Sequence, residues 1–303
     1  MKLKEKRTKR NLGSLFLLFY SNIHVADFIF SISFYLFGSI YCDYVGIPID
    51  LMRLLWGLLA ILFLLVATEF LNLLFSSDRD FDQALIQTFG NFDFRVIYFT
   101  LAVAFLLATA MICVLQIKTL ISLVIAGLML FVVFFYIVKP FRLIHSGYGE
   151  ILQASLIAFL IPAFGYSIQT NGELHTTLAY LCVPFFMLVL ADQYIEKNRS
   201  LSRDIDRYHT TAVMRLGSVV TLRIAVYLIA FSYIFILLLG IAALPWRFIL
   251  RWYISIPLAV VLIWNVNKVL SGERPAWQVI SFLSYSLVLL NLILVLFSFL
   301  FIG

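Results

Sequence analysis

Nine apolar segments, each long enough to cross a lipid bilayer, dominate this chain of 303 residues. A helix needs about 20 apolar residues to span a hydrocarbon layer about 30 Å thick. The segments lie at 22–42, 51–75, 95–115, 118–138, 150–168, 175–195, 218–243, 249–268 and 277–302. The first is the weakest, because Asn22, His24 and Asp27 interrupt it. Only 13% of the residues are charged, whereas a soluble domain typically has about 25%. The sequence therefore predicts an all-α integral membrane protein with about nine transmembrane helices.

Basic residues are divided unevenly between the two sides of these predicted helices. With alternating spans, eighteen of the 22 Lys and Arg residues fall on one side, and only Arg53, Lys118, Arg247 and Arg251 fall on the other. Lys and Arg accumulate on the cytoplasmic side of membrane proteins. We therefore expect a multi-pass protein of the plasma (inner) membrane with a cytoplasmic amino terminus. The net charge of +6 follows from this topology, so it does not call for nucleic acid as a partner.

The longer connections between apolar segments all fall on the predicted cytoplasmic side. We predict one membrane domain over residues 1–303, with a basic head at 1–10 and cytoplasmic loops at 76–94, 139–149 and 196–217. Long loops in compact domains usually carry function or are disordered. The sequence therefore predicts a helix bundle around a central cavity that opens to the cytoplasm beneath these loops.

Two polar helix ends lie at this cytoplasmic side. Asp192 and Glu196 end the sixth apolar segment, and Glu69 and Asn72 end the second. Residues three or four apart share one face of a helix. Neighbouring carboxylates repel each other unless a cation lies between them, and Mg²⁺ takes oxygen ligands together with substrate phosphates. Two interpretations stay open: helix ends that run into water, or a metal site that carries a diphosphate.

Asp27 lies inside the first apolar segment. Inserting such an acid into a membrane helix costs about 2.5–3.5 kcal/mol on insertion scales, so it either faces a cavity or a partner, or reaches the wet interface. The sequence leaves both positions open.

Three places in the chain resemble the UbiA superfamily of intramembrane prenyltransferases. The segment Asp192-Gln-Tyr-Ile-Glu196 stands where the family has its second Asp-x-x-x-Asp motif, and Thr211-Ala-Val-Met-Arg-Leu-Gly217 looks like the Thr-Leu-Ala-Val-Arg-Leu-Gly that follows it. The segment Gly147-Tyr-Gly-Glu150 is similar to the Gly-Leu-Gly-Glu element of the menaquinone branch, which prenylates a dihydroxynaphthoate. The segment Thr68-Glu69-Phe-Leu-Asn72, continuing to Asp78, falls where the family has Asn-Asp-x-x-Asp and its trailing acid.

This resemblance implies Mg²⁺-dependent transfer of a polyprenyl group, within the membrane, from polyprenyl diphosphate to an aromatic acceptor that is a quinone precursor. The implied partners are these two substrates and membrane lipids. Residues at the first implied metal site are Glu69, Asn72 and Asp78, and those at the second are Asp192 and Glu196. The implied catalytic residues are Asp192, Glu196 and Glu69. The implied substrate contacts are Asn72, Lys139 and Arg142 toward the diphosphate, and Tyr148 and Glu150 near the acceptor ring.

The chain departs from the family pattern at its acidic residues. Glu69, Asn72 and Glu196 stand where the family has aspartates. A neutral Asn oxygen is a weaker Mg²⁺ ligand than a carboxylate, and the long spacing before Thr211 makes Asp204 an alternative acid for the second motif. An alternative function is therefore a catalytically weakened or inactive relative that binds an isoprenoid lipid. A third is a transporter with Asp27 along its path.

Overall fold

The computed structural model describes residues 25–75, 94–116, 119–138, 140–206, 210–242 and 245–300, and all regular structure in these parts is helical. The helices are α1 (Val25–Tyr44), α2 (Leu51–Phe75), α3 (Phe94–Gln116), α4 (Leu120–Ile137), α5 (Gly149–Ser155), α6 (Ile161–Gln169), α7 (Thr176–Asp206), α8 (Ala212–Leu216), α9 (Ser218–Ala242), α10 (Trp246–Tyr253), α11 (Ile256–Leu270) and α12 (Trp277–Leu300). A 3₁₀ turn covers Leu143–His145, and a π-helical segment, Leu156–Leu160, joins α5 to α6.

Seven helical segments in the described parts are long and apolar enough to cross a membrane. The bent pair formed by α10 and α11, with 44° between them, makes an eighth if it counts as one span. The prediction of an all-α integral membrane protein is confirmed, whereas the count of nine spans is not. Helix α1 stands in place of the first and weakest predicted segment, and it is not among the seven.

The bundle is organised around α7, which is the most deeply buried of the candidate spans. It packs against α9, α12 and the π-helical segment, while α1 packs against both α6 and α12. Aromatic rings join the central helices, since Phe34 and Phe37 of α1 meet Phe185 of α7 at centroid distances of 5.2 and 5.3 Å. Edge-to-face contacts of this kind add specific geometry to apolar burial. These ring contacts link α1 to α7 in the buried core of the bundle.

The span from Gly149 to Gln169 changes its helical geometry just before a proline. Pro162 occupies the first turn of α6, directly after the π-helical segment Leu156–Leu160. A proline inside a helix has no N–H to donate, and its ring collides with the carbonyl four residues earlier. Wider π turns relieve that collision and are frequent beside functional sites. Residues Leu156, Ile157 and Ile161 of this widened region line the cavity described below.

Glycines allow α1 and α6 to come into backbone contact. A Cβ atom on Gly38 would overlap the backbone carbonyl of Pro162, and one on Gly165 would lie 2.6 Å from the carbonyl oxygen of Tyr35. Small residues at helix crossings permit this approach in membrane proteins. Position 38 therefore has no room for a larger side chain.

We expect Gly38→Val to lower the free energy of unfolding by about 1–3 kcal/mol, because the branched side chain must separate α1 from α6. The measurement is the thermal midpoint of the protein purified in detergent. Gly127→Val is the matched control, since Gly127 lies in helix α4 with open space around its Cα. Equal midpoints for the two variants would contradict the tight crossing.

Candidate active site

A cavity of about 680 Å³ lies inside the helix bundle and is lined by residues of α1, α2, α4, α5, α6, α7 and α12 and of the π-helical segment. This volume is within the range of about 300–1,000 Å³ that is typical of small-molecule sites. Its apolar wall includes Ile61, Leu64, Val133, Ile157 and Phe282. Most of its polar residues come from the helix ends that the sequence places on the cytoplasmic side.

The two polar segments that the sequence predicts as helix ends converge on this one cavity, although α7 continues past Glu196 to Asp206 through the first part of the predicted 196–217 loop. Glu69 and Asn72 from α2, and Asp192 and Glu196 from α7, all line it, although more than one hundred residues separate the two pairs in the sequence. Asp192 is only 8% exposed, so it does not belong to a helix end that simply runs into water. The structure therefore brings together four of the predicted metal and catalytic residues, and their roles stay predictions.

The electrostatics of the α7 side combine acids with bases. Asp192 and Glu196 lie one helical turn apart on α7, and Asp27 of α1 lines the same cavity. Glu196 accepts hydrogen bonds from the guanidinium of Arg199 at 3.3 Å and from the Ser281 hydroxyl at 3.0 Å. Lys197 and Arg199 themselves line the cavity. Cationic side chains at this end favour a ligand with several negative charges, such as a diphosphate.

The donor set fits Mg²⁺ only if a substrate supplies further ligands. Within the described ranges, no three His, Cys, Asp or Glu side chains lie close enough to hold a metal ion by themselves. Mg²⁺ is usually bound through one or two carboxylates together with water and substrate phosphates. Asp192 and Glu196 offer that number on one helix face, and Glu69 with Asn72 offers one carboxylate and one amide oxygen. The residues thus fit an ion that arrives with its phosphate-bearing substrate.

Three neutral side chains form a hydrogen-bonded group with Asp27 in the same cavity. Gln153 donates to one carboxylate oxygen of Asp27 at 2.7 Å, and Gln193 donates to the other at 3.4 Å. The Tyr136 hydroxyl donates to Gln153 Oε1 at 2.8 Å. Asp27 lines the cavity. Of the two positions that the sequence left open for it, a cavity or the wet interface, the structure shows the cavity. Sequence reasoning did not assign Gln153, Gln193 or Tyr136, although Gln193 stands inside the 192–196 motif.

The predicted acceptor residues Tyr148 and Glu150 do not line the cavity. Glu150 is 2% exposed, and its Oε1 accepts a hydrogen bond from the backbone N–H of Ala212, the first residue of α8, at 3.2 Å. Tyr148 is 57% exposed, and the Arg215 guanidinium lies 5.2 Å from its ring centroid, a cation–π contact. Tyr148 at the end of the 139–149 loop and Glu150 in the first turn of α5 instead contact the segment that follows α7.

The predicted diphosphate contact Arg142 also lies away from the cavity wall. Its backbone is left-handed, with φ of 39°, and its Nε is buried without a hydrogen-bond partner among the described residues. Burial lowers the pKa of the Arg142 guanidinium from its usual value. Asp78 and Lys139 lie outside the described residues, as do the 1–10 head, positions 76–93 of the first cytoplasmic loop and the Asp204 side chain.

Two solved structures share the architecture of this chain. A digeranylgeranylglyceryl phosphate synthase in membranes matches with a TM-score of 0.60 and 16% identity, over 96% of this chain and 97% of that one. A UbiA homolog from Aeropyrum pernix K1, in its apo form, matches with a TM-score of 0.56 and 15% identity, over 90% of this chain and 96% of that one. No protein-family model and no curated protein matches the sequence. Identities this low show a common fold, and the affinity to the menaquinone branch is not confirmed.

Proposed function

We propose that this protein is a UbiA-type membrane prenyltransferase. It transfers a polyprenyl group from polyprenyl diphosphate to an aromatic acceptor, a quinone precursor, with Mg²⁺ as cofactor. The observation that carries this proposal is the convergence of Glu69 and Asn72 with Asp192 and Glu196 on one cavity. The fold supports it further, because one structural neighbour is a digeranylgeranylglyceryl phosphate synthase and the other a UbiA homolog.

The cavity provides the physical conditions for this reaction. The bond from the allylic carbon to the diphosphate oxygen breaks, and the bonding electrons leave with the diphosphate. Lys197 and Arg199 line the cavity at the end where that charge develops, and positioned cations stabilise such charge strongly. When bound, Mg²⁺ would neutralise part of the leaving diphosphate, held by Asp192 and Glu196 and by Glu69 with Asn72.

The apolar walls serve the other half of the reaction. An allylic carbocation must be shielded from water until a ring carbon of the acceptor bonds to it, after which that ring carbon loses its proton to the released diphosphate. Leu64, Val133 and Ile157 provide an apolar lining, and the aromatic residues Phe28 and Phe282 line the same space. The face of an aromatic ring attracts a cation through its quadrupole. The long apolar tail of the donor would extend between the helices toward the lipid.

We also propose that the polar end of the cavity and the amino terminus face the cytoplasm of a plasma membrane. Asp192 and Glu196, with Lys197 and Arg199, line the cavity from the carboxyl-terminal half of α7, which the distribution of Lys and Arg assigns to that side. Polyprenyl diphosphates would then enter from the cytoplasmic leaflet.

A second candidate function is an inactive relative that binds an isoprenoid diphosphate without turnover. One contact favours it, because Glu196 already accepts hydrogen bonds from Arg199 and Ser281. A carboxylate engaged in this way is a weaker ligand for a metal ion. Glu69 and Asn72, which stand where the family has aspartates, also favour this second function.

The test is a transfer assay with protein reconstituted in nanodiscs. Radiolabelled polyprenyl diphosphates of several chain lengths are incubated with a panel of phenols, hydroquinones and hydroxybenzoates, with Mg²⁺ or with EDTA. We expect prenylated product only with Mg²⁺. Saturable binding of the polyprenyl diphosphate, with none of it consumed across the acceptor panel, would contradict the enzyme and favour the inactive relative.

A further inference from the structure

We propose that helix α10 binds the phosphate headgroup of an anionic phospholipid at the end of the bundle opposite the polar residues of the cavity. Arg247 and Arg251 bind the headgroup, and the exposed apolar residues Trp246, Leu250 and Ile254 contact the acyl chains. None of these five residues lines the cavity, so the lipid site is separate from the proposed function and does not depend on it.

Ring contacts place α10 at one end of the bundle. Phe248 of α10 meets Tyr44, the last residue of α1, and Phe299, near the end of α12, each at a centroid distance of 5.4 Å. Helix α1 has 20 residues and begins beside the cavity, where Asp27 lies. A helix of that length spans about 30 Å, which is the thickness of the hydrocarbon layer. Helix α10 therefore lies at the level of the lipid headgroups, on the side that the distribution of Lys and Arg assigns to the outside.

One face of α10 is fixed to the bundle. Phe248, Ile249 and Trp252 are each at most 3% exposed. The Trp252 ring meets the ring of Phe185 in α7 at a centroid distance of 4.8 Å. A Cβ atom on Gly240 of α9 would overlap the Ile249 side chain. Because this face is tightly packed, the rotation of α10 about its own axis is set, and the other side chains of the helix point away from the bundle.

The exposed side of α10 carries an apolar stripe. Trp246, Leu250 and Ile254, which directly follows the helix, are 58%, 67% and 61% exposed. Residues four apart lie on one helix face. Tryptophan is enriched at membrane interfaces, and amphipathic helices of this kind lie in the interface with their apolar side toward the acyl chains. This stripe is the surface through which α10 meets lipid.

Arg247 and Arg251 form a second stripe, which lies between the apolar stripe and the packed face. The two residues are also four apart. Arg247 is exposed and Arg251 is partly exposed, and neither forms an ion pair with another residue in the described ranges. Arg53, at the same end of the bundle, differs because its guanidinium pairs with Asp50 at 3.4 Å. Two guanidinium groups one turn apart, without a carboxylate partner, favour a phosphate as their ligand.

An anionic phospholipid supplies the partner for both stripes. Its phosphate lies at the headgroup level beside the arginines, and its acyl chains extend along the apolar stripe. A free phosphate ion would bind the arginines and leave the apolar stripe without a partner. Lys and Arg are usually sparse on the outer side of membrane proteins, so two arginines within a helix of eight residues there are consistent with a specific anionic ligand.

The experiment measures which lipid lies beside Trp246, with the whole protein in nanodiscs. All nanodiscs contain equal parts of phosphatidylglycerol and phosphatidylcholine, and the acyl chains of one lipid or of the other are brominated, so that they quench tryptophan fluorescence. The contribution of Trp246 is the difference between each protein and the same protein carrying Trp246→Phe. The ratio of the two quenching values gives the preference for phosphatidylglycerol beside α10.

The variants are Arg247→Gln, Arg251→Gln, the double variant and Arg247→Lys. The matched control is Arg53→Gln, which makes the same change at an arginine that already has a carboxylate partner. Arg247 is exposed, so its replacement leaves the packed face intact. An unchanged thermal midpoint of each variant shows that it is folded, and the test stands on Arg247→Gln alone if the double variant does not fold.

We expect the wild type to prefer phosphatidylglycerol by about 25-fold, because each arginine near an anionic headgroup contributes about fivefold. Each single change to Gln should lower the preference by about fivefold, and the double variant should show none. Arg247→Lys should keep part of the preference, since Lys binds phosphate as a point charge. Arg53→Gln should behave as the wild type does.

Three results would overturn the lipid site. Equal quenching by the two lipids in the wild type would mean that α10 lies on the bilayer without selecting a headgroup. No quenching of Trp246 by either lipid would mean that another protein chain covers the apolar stripe. A preference that survives Arg247→Gln unchanged, or that Arg53→Gln lowers equally, would assign it to the overall charge of this side and not to the arginines of α10.

Discussion

We expect Asp192→Asn to reduce prenyl transfer by about 100- to 1,000-fold, the range seen when one preorganised polar group is removed from an active site. Asp192 is buried on the wall of the cavity, one helical turn before Glu196. Asparagine has nearly the same shape, so the helix packing is retained while the anionic oxygen is lost. A neutral amide binds Mg²⁺ more weakly than a carboxylate. The measurement is kcat/KM for transfer at saturating acceptor, repeated over a range of Mg²⁺ concentrations.

The control is Asp43→Asn, which makes the same chemical change at an exposed position near the carboxyl-terminal end of α1. It should transfer at the wild-type rate. Part of the lost activity in Asp192→Asn should return at high Mg²⁺, because weaker ligation is compensated by mass action. Wild-type kcat/KM in Asp192→Asn would place the diphosphate elsewhere and remove the main support for the enzyme.

The length of the apolar segments is sufficient to predict the membrane fold of this protein. A run of about 20 apolar residues has few alternatives to a spanning helix, since backbone polar groups must be satisfied within the membrane. The number of spans is less certain from sequence. The 249–268 segment becomes two helices, α10 and α11, with a bend between them. A hydropathy profile shows that this segment is apolar, but it does not show that the helix bends within it.

The acidic residues of the candidate site could also be predicted from the sequence. Charged residues inside or beside apolar segments are energetically costly and rare, so they indicate a functional site. Neutral polar residues are different. Gln153, Ser31 and Tyr285 are ordinary in membrane helices, and a single sequence does not say whether they face lipid, a neighbouring helix or a cavity. Only the three-dimensional arrangement of α1, α5 and α12 brings them to one space.

Glu150 shows the limit of assigning a role through a motif alone. The Gly147–Glu150 resemblance implies a place beside the acceptor, but the carboxylate accepts a hydrogen bond from the first backbone N–H of α8. A carboxylate at a helix N-terminus satisfies a donor that has no partner within the helix. Its partner lies 62 residues further along the chain, so local pattern gives no indication of it. Gln153, almost one turn later, lines the cavity instead.

Glu69 provides the sharpest test of whether the two helix ends act together. We expect Glu69→Gln to reduce transfer by about 10- to 100-fold, because it removes the carboxylate on the α2 side of the cavity. If Glu69 and Asp192 hold the same diphosphate, the double variant Glu69→Gln with Asp192→Asn should be little worse than Asp192→Asn alone. Groups that act as one unit show such non-additive losses.

The measurement is a double-mutant cycle on kcat/KM, in which a coupling energy of about 1 kcal/mol or more marks interacting sites. Asp43→Asn combined with Asp192→Asn is the reference cycle, and its effects should add. Glu69 and Asp192 line one cavity, so we expect coupling between them if both act on one ligand or one ion there. If the fold-reductions in kcat/KM of the two single variants simply multiply, Glu69 and Asp192 act independently. The cavity then does not bind one diphosphate through both residues.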